Sequence, residues 1–130
     1  MKIENIKFKA KRLDNGEWII GSFVVMKIPA LSKTTIGIVA EGGATLYEVA
    51  PSTVCQFIGE QDMNGKEIYI GDIISNLETG SIVEVVWNDA LKRLDCKFLN
   101  ADNGLFVPFG IFIKRYKRIV VLKSKFDKEK

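Results

Sequence analysis

Turn-forming steps punctuate this chain so closely, roughly every 8–12 residues, that the runs between them have room for strands and little else. Asp14-Asn15-Gly16, Gly42-Gly43, Asn64-Gly65, Glu78-Thr79-Gly80, Asn88-Asp89-Ala90 and Asp102-Asn103-Gly104 are the turns. Asn-Gly steps supply the positive φ that hairpin turns need, and Asn64-Gly65 suits a type I′ turn. The intervening runs are rich in β-branched and aromatic residues. Ile6, Phe8 and Ala10 alternate with Lys7, Lys9 and Lys11, the period of a half-buried strand. Residues 18–26 form a β-prone run interrupted by Gly21, which marks a bulge or a close backbone approach. Residues 29–35 read as loop, 36–39 and 46–49 as short strands. After them come strands at 72–77, 82–87, 93–99 and 105–107, and a last one at 119–122. No helical face exceeds about two turns, and only residues 108–116 offer a short helical turn. The pattern predicts a mostly β chain, a sandwich or a small barrel.

The chemistry is bounded by what the 130 residues lack. There is no histidine. Ser-His-Asp and Cys-His nucleophilic mechanisms and histidine-ligated zinc are therefore excluded. There is no phosphate-binding Gly-rich loop. Cys55 and Cys96 have no metal-ligand spacing and read as reduced thiols. The apolar stretch 105–113 is far short of the roughly 20 residues of a membrane helix. The first residues carry no apolar leader, so the expected compartment is the cytoplasm.

Charge is unevenly placed. Residues 1–12 carry five basic and one acidic side chain, and residues 114–130 carry eight and two. The middle, 13–113, holds six basic and thirteen acidic side chains. Basic ends around an acidic body suit either nucleic acid or an acidic face of the same protein or of a neighbouring subunit.

Residues 54–74 are the most distinctive segment. Gln56-Phe57-Ile58-Gly59, Asp62, Asn64 to Tyr69 and Gly71-Asp72-Ile73-Ile74 read as strand, tight turn, strand. With Ile6 to Ala10, Trp18, Gly21, Tyr47-Glu48-Val49, Pro51, Thr53, Gly80, Val83 and Val86-Trp87, they resemble the YopX family of small phage and prophage proteins. The resemblance covers roughly residues 6–90. It implies a mostly β structure, a C-terminal SH3-like barrel and a homo-oligomer; the family has no settled biochemical activity to pass on. The last strand departs from the family pattern: Ile119 to Ser124 lacks the Gly-Asn step usual there.

The organisation expected is a small N-terminal β subdomain at 1–60, an SH3-like β barrel at 61–123 and a charged, frayed tail at 124–130. The barrel core should include Ile73, Val83, Val85, Trp87, Phe98 and Val121, which alternate in phase with polar neighbours.

Three readings of function follow. The foremost is a non-enzymatic accessory protein that binds another protein or itself. Its oligomer contact is assigned to Leu105, Phe106, Phe109 and Phe112, because three phenylalanines and two isoleucines in nine residues exceed what a short edge strand buries. The second is a nucleic-acid-binding protein using Lys114, Arg115, Tyr116, Lys117 and Arg118, four cations around one stacking aromatic. The third is a small enzyme using Asp62, Glu67 and Asp72. The structural reading of those carboxylates is stronger: Asp62 accepts from its own turn's amides and Asp72 ties a loop. No catalytic residue, metal, cofactor or small-molecule ligand is expected.

Overall fold

The computed structural model describes residues 2–100 and 104–127. The strands form two antiparallel sheets, one of six strands and one of five. The chain divides into two compact units, Met1–Phe57 and Ile58–Lys130. Asp102 and Asn103, expected to turn the chain, and Lys128 to Lys130, expected to fray, lie outside the described residues.

The first unit is an antiparallel meander. It comprises β1 (Phe8–Lys11), β2 (Trp18–Ile28), β3 (Lys33–Ala40), β4 (Leu46–Glu48) and the start of β5 (Cys55–Gln61). β1 pairs with β2 on one side and with Cys55 and Gln56 of β5 on the other. Ala10, Ile38 and Val49 form the buried centre, with Phe8, Ile19, Ile36 and Val54 packed around them. A bridge between Arg12 and Val49 brings the chain after β4 back to the end of β1, so the sheet curls without closing. That curl needs bare backbone. A Cβ on Gly21 would stand 1.9 Å from the Val39 carbonyl oxygen, and one on Gly37 would stand 2.7 Å from that of Tyr47. Of the two roles open to Gly21, close approach is the real one; the β2 register runs through it unbroken. Residues 33–35 are strand rather than loop, since β2 and β3 stay paired out to Ile28 and Lys33.

The second unit contains β6 (Glu67–Tyr69), β7 (Asp72–Asn76), β8 (Ile82–Asn88), β9 (Arg93–Phe98), β10 (Phe106–Pro108), α1 (Phe109–Arg115) and β11 (Ile119–Ser124). Val83 faces Ile74 on one side and Phe98 on the other, and Val85 faces Cys96. These line one face, which Ile68, Phe109, Phe112 and Ile119 complete as a core. Phe98 and Val121 pack against that core; Ile73 is buried but lies outside it, opposite Glu84 rather than Val83. Trp87 is not part of it. The residue keeps the inward phase but stands beyond the end of the core, half exposed, and its indole donates to Asp89 instead. The sheet is open, with β10 and β11 as its edges, and α1 covers the apolar face that closure would have buried. At the end of β11 the first residues of the expected tail are hydrogen-bonded: the Ser124 amide donates to Asp127 and its hydroxyl accepts from the Phe126 amide.

Gly21→Ala should therefore lower the stability of the folded protein by about 3 kcal/mol, the upper range for overpacking a rigid site. Gly110→Ala, where nothing lies within 4 Å of the added carbon, should be neutral or slightly stabilising. Thermal unfolding followed by circular dichroism separates the two; equal midpoints would show that the strands at Gly21 can part.

Candidate functional site

The segment between β5 and β7 is held by two carboxylates. Asp62 Oδ1 accepts from the amides of Asn64 (2.8 Å) and Lys66 (2.9 Å), and Oδ2 accepts from the amide of Val121 on β11 (2.9 Å). The turn itself differs from type I′. The Gly65 amide donates to the Asp62 carbonyl, Gly65 alone adopts positive φ (81°), and Asn64 does not. This is a three-residue hairpin, a type I turn followed by a left-handed glycine. Asp72 Oδ2 accepts from the Tyr69 amide at 2.8 Å, next to Gly71 at φ 98°. Glu67 meets the Tyr69 hydroxyl at 3.2 Å. Burial works to raise the Asp62 carboxyl. The amides of Val121, Lys66 and Asn64 outweigh it and hold the group below the usual carboxylate range.

A hollow of about 140 Å³ lies against this hairpin. Asp62 and Met63 line one part of it, and Ile113, Tyr116, Lys117 and Ile119 another. It joins the distinctive hairpin to the basic segment. Lys114, Arg115, Lys117 and Arg118 are exposed and Tyr116 is half-buried. The Tyr116 ring rests on Phe112 with centroids 5.3 Å apart, and the Arg115 guanidinium lies 5.7 Å from the Tyr116 centroid. The segment is anchored by its backbone. Glu78 Oε2 accepts from the amides of Lys117 and Arg118, and the Lys117 ammonium donates to the Ile113 carbonyl at the end of α1.

The four apolar residues expected at an oligomer contact are split by the helix. Phe109 and Phe112 lie three apart on the inward face of α1 and are buried. Each buried ring stabilises the unit by about 2–3 kcal/mol, which outward display would forgo. Leu105 and Phe106 remain exposed, and so does Ile111 on the outer face of the helix.

Two features escaped the sequence reading. Asp95 on β9 is fully buried between Arg93 (2.6 Å) and Asn88 (2.8 Å). Its neighbour Cys96 is pushed up to about 12 by burial and by the Asp95 charge, so its thiol is inert as a nucleophile. The alternation of Arg93 and Asp95 was the available signal for the pair, but it does not report burial. The basic N-terminal end is also absorbed locally. Lys9 and Lys11 lie over the Trp18 ring, Lys7 over Phe57 and Arg12 over Tyr47, at 4.2–5.4 Å from the centroids. Among the described residues no group of three or more acidic or cysteine side chains is placed to hold a metal, and no helix is long and apolar enough to cross a membrane.

Two antiparallel β units, one carrying an Asp-anchored hairpin and a Gly-Asp corner, define the class. The chain belongs to the YopX family: the family model described as YopX protein matches residues 7–119. No curated protein matches it.

Asp62→Asn replaces the oxygen facing one of its three amides with a donor and should cost about 2 kcal/mol at neutral pH. The native carboxylate's contribution is fully present above its unfolded value of 3.8 and is lost as pH falls through the lower folded value. The gap between variant and native protein should therefore shrink at acid pH. Urea midpoints measured at about pH 7 and about pH 3 test this; a gap independent of pH would remove the charge from the account.

Proposed function

We propose that this is a non-enzymatic accessory protein of the phage or prophage type, acting in the cytoplasm of a bacterial host by binding protein, as a homo-oligomer or with another partner. The observation that carries this reading is the display of Leu105, Phe106 and Ile111 in solvent around a core already filled by Phe109 and Phe112. Exposed apolar side chains grouped on one short segment mark partner surfaces. Of the carboxylates that would serve an enzyme, Asp62 and Asp72 accept from backbone amides and Glu67 meets the Tyr69 hydroxyl, which supports the same reading. The second unit is read as SH3-like, with β7, β8 and β9 as its meander and α1 standing where closure would bring the edges together.

Light scattering at micromolar concentration tests the proposal. An assembled mass that Phe106→Glu or Ile111→Glu reduces, with circular dichroism unchanged, is the expected result. A monomeric mass that binds no host protein would overturn it.

The second reading, nucleic-acid binding, is favoured by one observation: Lys114, Arg115, Lys117 and Arg118 are all exposed, and no carboxylate side chain forms an ion pair with them among the described residues. On heparin the native protein should then be retained at low salt. Replacing all four by Ser should abolish retention and flatten its salt dependence by about one unit of log–log slope for each phosphate no longer neutralised. Elution of native protein in the void at low salt would eliminate this reading.

A further inference from the structure

β2 is longer than the partner on one of its sides. Its residues Trp18 to Gly21 pair with β1, while Gly21 to Ile28 pair with β3 on the other side. Beyond Gly21, no described strand replaces β1. The direction of the backbone groups there is set by two bonds. The Arg12 amide donates to the Glu17 carbonyl, and the Glu41 amide donates to the Ile20 carbonyl. Odd-numbered residues of this stretch thus point their amides and carbonyls toward the β1 side, and even-numbered ones toward β3. Past Gly21 the groups aimed at the open edge belong to Phe23, Val25 and Lys27.

The protection usual at an exposed edge is sparse here. The stretch Ser22-Phe-Val-Val-Met-Lys-Ile28 has no proline and one charge, whereas exposed edges are normally blunted by proline, bulges or several charges. Phe23, Val25 and Met26 are 36%, 49% and 44% exposed. The opposite edge of the same ribbon is shorter and more polar. There β3 lacks a second neighbour only over Lys33 to Thr35, because the Val49 amide already donates to the Ile36 carbonyl.

We propose that the open edge of β2 is completed by a second copy of this chain, β2 against β2, antiparallel about a two-fold axis through Val25. The occupant follows from the order of the residues. In that register Val25 meets Val25, Val24 meets Met26, and Phe23 of each copy faces Lys27 of the other. Apolar groups meet at the centre, and a cation lies beside a ring on each side. No like charges are opposed. Val25 is an outward-bonding residue, so the central pair and both Phe23–Lys27 pairs exchange backbone bonds in full. Pro29 and the left-handed Ser32 end the ribbon just past Ile28, which limits the ladder to this stretch. Among the described residues each copy has one such edge, so the contact is isologous and closes at two.

The inference rests on the self-assembly form of the proposed function, and the test separates them. Val24 and Met26 of opposite copies would form a close, non-hydrogen-bonded pair, at a spacing suited to a disulfide. The native cysteines are both buried. Val24→Cys and Met26→Cys proteins, mixed and mildly oxidised, should cross-link into dimers far faster than either alone. Val25→Pro removes an amide that points only at the open edge and leaves the β3 bonds in place. It should halve the mass seen by light scattering, with circular dichroism retained. A native dimer that shows no preferential cross-linking in the mixture would overturn this edge and leave self-assembly standing. A native monomer would overturn both.

Discussion

One carboxylate organises the second unit. Asp62 is joined to Val121 across 59 positions of sequence and to its own turn at the same time. The bond falls where β11 shifts register against β7, between Val121 and Lys123. There a strand amide would otherwise have no ladder partner. The Met63 amide adds a second tie, to the Ile119 carbonyl. Take the carboxylate away and three amides lose their acceptor, and the edge strand that carries Ile119 into the core keeps only the Met63 bond on its outer side. The Gly71-Asp72 corner works by the same device on a smaller scale: a left-handed glycine turns the chain, and the next side chain accepts from the amide three residues back.

Where strands lie was readable from the residues because alternation and turn chemistry agree over most of the chain. Val83 and Val85 face inward as their period requires, and each turn glycine at positions 16, 42, 65 and 80 takes positive φ. The failures have identifiable causes. Periodicity gives the face of Trp87 but not where the core ends. Asn64-Gly65 suits two hairpin geometries, and Asp62 decides between them by capturing the turn's amides. Residues 33–35 carry no apolar signal of their own and are strand because β2 opposite them is. Of the candidate surfaces, the exposure of the basic segment was legible from its composition. The division of Leu105 and Phe106 from Phe109 and Phe112 was not, because it depends on where after Pro108 the backbone changes period from two to 3.6.

The polar residues that make the hairpin recognisable are occupied in building it. Asp62 turns both carboxylate oxygens to backbone amides, and a cysteine sealed beside a buried carboxylate has no accessible thiolate. What the YopX chain offers its surroundings is of another kind: apolar side chains around β10 and α1, cations after α1, and an incomplete strand edge on β2. On the proposed reading, these are the features through which it would meet other macromolecules.

The placement of the thiols has a practical consequence. Cys55 lies in the first unit and Cys96 in the second, both buried and neither bonded to the other. A maleimide or disulfide reagent can reach each only when the unit around it opens. Labelling kinetics, resolved by mass for the two peptides, would thus time the breathing of each unit separately. The native chain carries one built-in chemical clock for each of its two cores.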